Sequence, residues 1–367
     1  MKFVCDKSSL LREVSIAQEI ISSRNTLSIL SNVLLAANES SLVIKATDTK
    51  VGFETQIPVE VQTPGDTTVF CDKLLGILRS LPEGEVEFEL QDQRLDIRPL
   101  YKRIDFQLKS IASDMYPELH DVSEENYFTF PQRDLIEMIT QTIFAVSDDE
   151  TRYFMNGVFL ECREGEIIMV ATDGLRLSFI KKVVEGDIGS FEGVIIPPKA
   201  LNLIRKLSTG EGNVDLAVTK ENVFVKYDTQ RLSSSLIEGQ FPNYNRVIPE
   251  NQEHKIVVER NDFLDALSRV SLLVEQKSRK VFVTANENNL LLHCEESEIG
   301  IAREEIECEY DGPEISIALN YQFLMEPLRV MEDEKVAIRF TDEKKAVSIV
   351  SPEEKEYIHI VAPMQLD

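Results

Sequence analysis

Few side chains of this sequence are spaced for catalysis. The four histidines stand apart from one another, which favours surface or strand positions over roles in acid–base or nucleophilic chemistry: His120, His254, His293 and His359. The Asp-Asp-Glu run at 148–150 could ligate a divalent ion, but no further carboxylate spacing completes a site, so a solvated loop after a helix is the favoured interpretation. Gly210 and Gly212 lack the Lys-Ser/Thr of a phosphate-binding loop and indicate a turn. The residues alone therefore give little support to an enzyme.

Cysteine usage and the amino terminus indicate a cytoplasmic protein. The five cysteines are scattered and without Cys-x-x-Cys spacing, so neither a disulfide framework nor a thiolate metal site is expected. The start of the chain lacks the apolar core of a signal peptide, and no apolar run approaches the roughly 18 residues needed to span a bilayer. No membrane association, metal or cofactor is predicted.

A pattern of a short amphipathic helix, a glycine-containing turn and two alternating strands occurs three times. The copies lie at 72–98, 197–227 and 319–350. In each copy, apolar residues at helical spacing precede apolar residues at every second position. The copies begin a domain length apart, so three similar domains are predicted, at 1–125, 126–253 and 254–367.

The order of elements around these copies predicts the fold class. Each domain opens with a strand and a longer amphipathic helix, predicted at 8–21, 131–146 and 261–274, and several strands follow before the repeated helix. Ser8 or Asp6 could cap the first of these helices, and a further strand is predicted at 101–108. We predict six amphipathic helices and about two dozen strands. Because strands follow one another without alternating helices, the chain is α+β, with two helices per domain packed on antiparallel sheets.

The charge of the chain is strongly acidic but unevenly distributed. A formal charge of −25 argues against sequence-independent binding to nucleic acid, which depends on Lys and Arg displacing counterions. The predicted helices are nevertheless slightly basic as a group, and 197–208 contains Lys199, Arg205 and Lys206 without an acidic residue. Helices facing a polyanion, with acidic strands facing solvent, would explain this distribution, and a chance balance of the helix faces would explain it equally well.

Four stretches are less easily explained as ordinary loops. These are Arg-Tyr-Phe-Met-Asn-Gly at 152–157, Val-Ala-Thr-Asp-Gly-Leu-Arg-Leu at 170–177, Gln-Phe-Pro-Asn-Tyr-Asn-Arg-Val at 240–247, and the terminal Val-Ala-Pro-Met-Gln-Leu-Asp at 361–367. The second combines a strand end with a tight Asp-Gly turn. Apolar residues on a terminus that would normally fray suggest a docked tail or the rim of a binding groove.

With these motifs in order and at their spacing, the chain resembles the bacterial replicative sliding clamps, the β subunits of DNA polymerase III, over essentially its full length. Further matching motifs are Met-Lys-Phe at 1–3, Arg-Asn-Thr-Leu-Ser-Ile-Leu at 24–30 and Leu-Pro-Glu-Gly at 81–84. The resemblance implies a head-to-tail dimeric ring of six domains, with helices around the hole and sheets outside. Such a ring holds duplex DNA topologically, without reading its sequence and without catalysis.

The resemblance also implies three sets of functional residues. A groove between the second and third domains would take short peptides from the polymerase III α subunit, the clamp loader, and other polymerases and repair proteins, with Met155, Thr172, Gly174, Leu175, Arg176, Leu177, Pro242, Arg246, Val247, Pro363, Met364 and Leu366. Residues facing DNA would be Arg24, Arg79, Tyr153, Lys199, Arg205 and Arg246. The joint between the chains of the homodimer would pair Lys73, Arg103, Phe106 and Leu108 with Leu272, Leu273, Glu298 and Glu304.

The sequence departs from the family pattern at the groove, where Leu175 replaces a common His, Gln365 replaces a common Arg, and Asp367 extends the tail. Two other classes of protein stay open. A dimeric peptide-binding scaffold that shares the fold without loading on DNA would suit the acidic charge, and an enzyme would rest only on the acidic run at 148–150.

Overall fold

The structure is a computed structural model that describes residues 1–21, 29–184, 191–298, 300–353 and 356–365. Its described part contains six α-helices and 25 strands, which confirms the predicted numbers and the α+β class. Within the described residues, no helix is long and apolar enough to cross a membrane.

The first repeat contains a strand, a helix, five strands, a second helix and three further strands. Its elements are β1 (Lys2–Asp6), α1 (Lys7–Ile20), β2 (Asn32–Asn38), β3 (Ser41–Thr47), β4 (Val51–Pro58), β5 (Glu60–Thr63), β6 (Gly65–Phe70), α2 (Cys71–Ser80), β7 (Glu85–Gln91), β8 (Arg94–Pro99) and β9 (Phe106–Ile111).

The second repeat follows the same order, with one strand fewer before its second helix. Its elements are β10 (Phe128–Pro131), α3 (Gln132–Thr142), β11 (Val158–Arg163), β12 (Glu166–Thr172), β13 (Arg176–Val183), β14 (Phe191–Ile196), α4 (Pro198–Leu207), β15 (Asn213–Val218), β16 (Asn222–Tyr227) and β17 (Gln230–Ser235).

The third repeat has the order of the second. Its elements are β18 (His254–Glu259), α5 (Arg260–Val270), β19 (Lys280–Asn286), β20 (Asn289–His293), β21 (Arg303–Glu307), β22 (Ile315–Asn320), α6 (Tyr321–Val330), β23 (Lys335–Phe340), β24 (Val347–Val350) and β25 (Tyr357–Val361).

Local sequence explains where the helices begin and which face they bury. The Asp6 carboxylate accepts a hydrogen bond from the Ser9 amide at 2.9 Å, so Asp6, and not the alternative Ser8, caps α1. Asn320 caps α6 in the same way through the Gln322 amide at 3.0 Å. On α2 the buried residues are Cys71, Leu74, Leu75 and Leu78, the apolar face that the helical spacing predicted.

The chain divides into two compact units, one of residues 1–132 and 206–236 and the other of residues 133–205 and 237–367. A 13-stranded sheet of order β10-β15-β16-β17-β4-β3-β2-β6-β9-β8-β7-β1-β5 belongs to the first unit. An eight-stranded sheet, β14-β11-β12-β13-β25-β24-β23-β18, and a four-stranded sheet, β21-β20-β19-β22, belong to the second.

One pairing rule connects successive repeats. The third strand after the first helix of a repeat pairs antiparallel with the last strand of the next repeat: β4 with β17, and β13 with β25. In the described part of the chain, β21 of the third repeat pairs only with β20. The first four residues of β9 pair only with β8, because β6 joins β9 at Ser110 and Ile111 alone. Two strand edges that the rule would pair are therefore open.

One predicted strand was wrong. An extended segment was expected at 101–108, whereas residues 100–105 form a turn and the strand runs from Phe106 to Ile111. The Arg98 Nε atom lies 2.7 Å from the Asp105 carboxylate, which ties the two ends of this turn together. The turn exposes Leu100 and Tyr101 to solvent.

Candidate functional site

The turn from β12 to β13 presents an apolar side chain on a rigid backbone. The Asp173 carboxylate accepts hydrogen bonds from the Leu175 amide at 2.9 Å and the Arg176 amide at 3.0 Å. The Thr172 hydroxyl donates to the Arg176 carbonyl at 2.6 Å, and Gly174 has a φ of +91°, which a residue with a side chain rarely adopts. Leu175, at the tip, is 61% exposed.

The side chain of Arg176 turns into the protein instead of forming a rim contact. Its Nε atom lies 3.0 Å from the Asp173 carboxylate, and its Nη1 atom pairs with the Glu326 carboxylate. The guanidinium lies over the Phe323 ring at 4.5 Å from the centroid. Burial lowers the pKa of Arg176 from its ordinary value. Arg176 therefore anchors the turn to α6, and Glu326 and Phe323 are positioning residues that the sequence did not single out.

The carboxyl-terminal segment is docked beside this turn, as predicted for the tail. The Ala362 amide donates to the Leu175 carbonyl at 2.9 Å, and the Met364 amide donates to the Ala318 carbonyl at 2.8 Å. Pro363 and Met364 are half-buried. Leu366, also predicted to line the groove, lies outside the described residues.

The segment after β17 adds the third wall. Phe241 and Tyr244 are buried in a cluster with Leu177 and Ile360, and Phe241 stacks on Phe159 with ring centroids 4.8 Å apart. Above this cluster Val247 is 49% exposed, Pro242 is half-buried and Arg246 is exposed. An apolar floor with exposed aliphatic side chains can receive apolar side chains of a partner.

The acidic run at 148–150 has a structural role. The Asp149 carboxylate accepts from the Thr151 amide at 2.9 Å and lies 2.9 Å from Arg152 Nε. The Thr151 hydroxyl and Arg152 hold the pKa of Asp149 down at about 2. A side-chain carbon at Gly174 would lie 2.9 Å from Arg152 Nη1, so this loop abuts the turn that carries Leu175. Met155, at the end of the loop, is buried. In the described ranges, no group of three or more His, Cys, Asp or Glu side chains could hold a metal ion.

Beneath the groove lies a buried histidine that sequence reasoning did not associate with it. His359 on β25 is 1% exposed, with Nδ1 3.0 Å from the Ser178 hydroxyl and Nε2 3.1 Å from the Gln141 side-chain oxygen. Gln141 in turn donates to the Val330 carbonyl at 3.1 Å. Burial lowers the pKa of His359 to about 3, so the ring is neutral near pH 7. Only its position in an apolar strand pattern could have indicated this burial.

The residues predicted to face DNA lie mainly on helices. Arg79 is exposed in the last turn of α2, in the first unit, and Lys199 and Arg205 are exposed on α4. Tyr153 and Arg246 lie in 3₁₀ segments of the second unit, and Arg24 lies outside the described residues. Lys206, also on α4, forms an ion pair with Glu19 of α1.

The residues predicted for the joint between chains fall into two groups of opposite charge. Lys73 and Arg103 are exposed in the first unit, and Phe106 and Leu108 are half-buried on the open part of β9. In the second unit Leu272 is 77% exposed and Leu273 is half-buried. Glu304 on β21 pairs with Arg269, while Glu298 is exposed.

Comparison with known proteins shows similarity to one family over the whole chain. Three family models match successive parts of the chain, described as the N-terminal, central and C-terminal domains of the DNA polymerase III beta subunit, at residues 1–120, 129–243 and 245–365. The chain is 46% identical to the beta sliding clamp of Treponema pallidum over 100% of both chains. It superposes on crystal structures of the DNA polymerase III subunit beta of Pseudomonas aeruginosa and the DNA polymerase sliding clamp of Bacillus subtilis with TM-scores of 0.94 and 0.95. Each pair is 27% identical and covers 100% of both chains.

Proposed function

The chain belongs to the DNA polymerase III beta subunit family and is a DNA sliding clamp of the replicative polymerase, and from this premise we propose that two copies close head to tail into a ring around duplex DNA. The ring confers processivity by topology, so it needs no catalytic group and no sequence readout. Its groove holds the polymerase and other DNA-processing proteins.

The observation that best supports the dimer is the pair of open strand edges on β9 and β21. The pairing of β4 with β17 and of β13 with β25 leaves β21 of one copy and β9 of another as the remaining pair of the same kind. Because each copy offers one edge of each type, two copies close a ring in which neither of these two edges stays unpaired.

The chemistry of the two edges supports this pairing. Lys73, Lys102, Arg103 and Lys109 surround β9, whereas Glu304, Glu305 and Glu307 lie on β21. The exposed Leu272 and half-buried Leu273 supply the apolar part of the second surface, and Phe106 and Leu108 supply that of the first. Opposite charge around an apolar centre gives the contact both orientation and affinity.

The helices supply the surface for DNA. Arg79, Lys199 and Arg205 are exposed on α2 and α4, and their charges would contact phosphates without reading bases. The ion pair of Lys206 with Glu19 leaves the lining only mildly basic. Weak contacts suit a protein that is held by topology and has to slide.

The groove supplies the docking site. Leu175, Val247 and Met364, above the buried Leu177, would anchor one or two apolar side chains of a short peptide. Such peptides would come from the polymerase III α subunit, the clamp loader, and other polymerases and repair proteins. Leu175 makes this rim more apolar than a histidine would.

Loading on circular DNA followed by linearisation tests the ring. Clamp loaded on a nicked circle should be retained during gel filtration and lost after one double-strand cut, because only topology holds it. Retention on the linear DNA would indicate ordinary binding. A clamp that never loads, yet still binds peptide, would indicate a peptide-binding scaffold instead.

Two matched substitutions separate the joint from the groove. Leu273→Asp places a carboxylate in an apolar contact at a cost of several kcal/mol, so sedimentation should show monomers. Leu175→Asp introduces the same side chain at the groove, so the dimer should persist while peptide binding weakens. A dimer unchanged by Leu273→Asp would contradict the assigned joint and leave the groove untouched.

A further inference from the structure

A cavity of about 380 Å³ lies in the first unit, away from the groove. Its floor is one face of the 13-stranded sheet, and its wall is the connector of residues 116–121 that follows the first repeat. Tyr116 holds this connector on the sheet, because its hydroxyl donates to the Asn32 and Lys45 carbonyls, each at 3.2 Å. The cavity plays no part in the functions proposed above.

The cavity occupies the place in the first unit that the apolar cluster beneath the groove occupies in the second. The Thr47 hydroxyl donates to the Val51 carbonyl at 2.9 Å, as the Thr172 hydroxyl does to Arg176. The Asp48 carboxylate accepts from the amides of Lys50 and Val51, as Asp173 does from those of Leu175 and Arg176. Gly52 is therefore the counterpart of Leu177, and Glu54 that of Phe179.

The connectors correspond as well. Tyr116 and Pro117 stand at the positions of Phe241 and Pro242, an aromatic residue followed by proline after the last strand of each repeat. Both connectors cover the strand pair formed with a neighbouring repeat.

The side chains at the corresponding floor positions differ in kind. A row of Val170, Phe179 and Ile358 crosses the sheet beneath the groove. The matching row in the first unit is Lys45, Glu54 and Arg231, paired strand by strand in the same order. Without the bulky apolar side chains, the space under the connector is open and polar.

Charged and polar side chains line this space. Glu54 pairs with Lys45 at 2.7 Å, and Arg231 lies 3.5 Å from Glu124. Glu118 and Asp121, at the mouth, form no ion pair with the residues the structure describes. The hydroxyl of Ser233 borders the cavity and makes no hydrogen bond within the described residues, although Ser233 is only 6% exposed.

We propose that this cavity receives a basic side chain of a partner polypeptide. The aliphatic stem of a lysine or arginine would pack between Leu34, Pro117 and Leu119, which line the cavity. Its cationic head would meet the Glu54 carboxylate and donate to the unpartnered Ser233 hydroxyl. The carboxylates at the mouth and the −25 charge of the chain favour approach of a cation.

Disulfide capture at an introduced cysteine tests the charge preference. His120→Cys places a thiol on the exposed part of the connector that lines the cavity, and the five native cysteines are buried. The full-length dimer is equilibrated with cystamine, bis(2-hydroxyethyl) disulfide or dithiodipropionic acid under one fixed thiol concentration, and intact mass gives the captured fraction. The captured fraction with cystamine, which leaves a cationic group, should exceed that with the neutral bis(2-hydroxyethyl) disulfide by about two- to fivefold, the range expected for an ion pair near a surface.

The control cysteine is Gln62→Cys, on exposed β5 close to Glu60 but outside the cavity. The excess of cystamine capture at position 120 should be absent at position 62, should disappear with Glu54→Gln, and should fall when free Nα-acetyl-lysine methylamide competes. An equal preference for cystamine at both cysteines would mean that only the overall negative charge of the protein acts. A preference for the neutral or the anionic disulfide would mean that the cavity does not select a basic group. Either result overturns the proposal. Circular dichroism melts and sedimentation of each variant verify folding and assembly.

Discussion

The two strand pairs that connect successive repeats share one backbone arrangement but differ in the side chains beneath their connectors. In the β4·β17 pair and the β13·β25 pair, a Thr-Asp turn leads into the first strand and an aromatic-Pro connector covers one face of the pair. The first pair carries a row of charged side chains under its connector, and the second carries a row of apolar ones. Backbone hydrogen bonding is the same in both pairs, so the two junctions differ only in the side chains that lie under the connector.

The comparison separates the features that both junctions share from the side chains that differ between them. Turn capping and register hold neighbouring repeats together in both places. A row of apolar side chains lies beneath the exposed apolar surface of Leu175 and Val247, whereas a row of charged side chains leaves a polar cavity. One architecture thus encloses two spaces of opposite chemistry.

The largest expected effect is at the packed junction. Phe241→Ala removes a ring stacked on Phe159 in the buried cluster, and we expect a loss of about 3–5 kcal/mol in the free energy of unfolding. Differential scanning calorimetry measures the shift. Leu119→Ala, at the half-buried position of the other connector, should cost clearly less because the space beneath it is already open. Equal losses in the two variants would contradict the conclusion that side chains are packed tightly under one connector and loosely under the other.

The buried His359 makes the same junction sensitive to acid, whereas its counterpart on β17 is the apolar Leu232. The pKa of His359 in the folded protein, about 3, lies below the ordinary value of 6.5, so below pH 6.5 the unfolded chain binds the additional proton. The contribution to stability is full above pH 6.5 and is lost as the pH falls towards 3. Between pH 7 and pH 4 we expect a loss of roughly 3 kcal/mol from this residue.

Urea unfolding at pH 7 and pH 4 measures this loss. His359→Gln, which can keep hydrogen bonds to Ser178 or Gln141, should show a smaller acid loss than the parent protein. His120→Asn, at an exposed position, is the matched control and should leave the acid loss unchanged. An identical loss in His359→Gln would assign it to other titratable groups, such as the carboxylates or His293, whose pKa burial also lowers.

Much of the fold could be predicted because its signals are local. The cap of α1 at Asp6, the apolar face of α2 and the alternating strands each depend on neighbours in sequence. The strand predicted at 101–108 failed because alternation continues through a turn that a contact between Arg98 and Asp105 closes. No local pattern contains that contact.

The candidate site could be predicted only in part, for the same reason. The exposure of Leu175 follows from the Asp-Gly turn, and the docking of the tail follows from its apolar residues. The burial of Arg176 depends on Glu326 and Phe323, which are distant in sequence. Likewise, the cavity arises where two strands from different repeats bring Gly52 beside Ser233, and no single stretch of sequence shows it.

Tyr116 tests how the connector of the first unit is held. Tyr116→Phe keeps the ring and removes a buried hydroxyl that donates to backbone carbonyls, so we expect a loss of about 1 kcal/mol. Thermal unfolding measures the loss, and hydrogen exchange at the amides of residues 116–121 shows whether the connector detaches. Tyr127→Phe, at a half-buried ring whose hydroxyl is not among the connector's bonds, is the control. A loss no larger than that of the control would mean that side-chain packing alone holds the connector.

The smallest expected effect concerns the charged row itself. The side chains of Lys45 and Glu54 are each about one third exposed, so their ion pair at 2.7 Å should contribute less than about 1 kcal/mol and should weaken with salt. Glu54→Gln should therefore change the melting temperature only slightly, and the change should shrink at high ionic strength. Val170→Ala, at the matching position under the groove, removes packed methyl groups and should cost more, with no dependence on salt. If Glu54→Gln cost as much as Val170→Ala at every salt concentration, the charged row would be acting as packed core, and the distinction between the two junctions would fail.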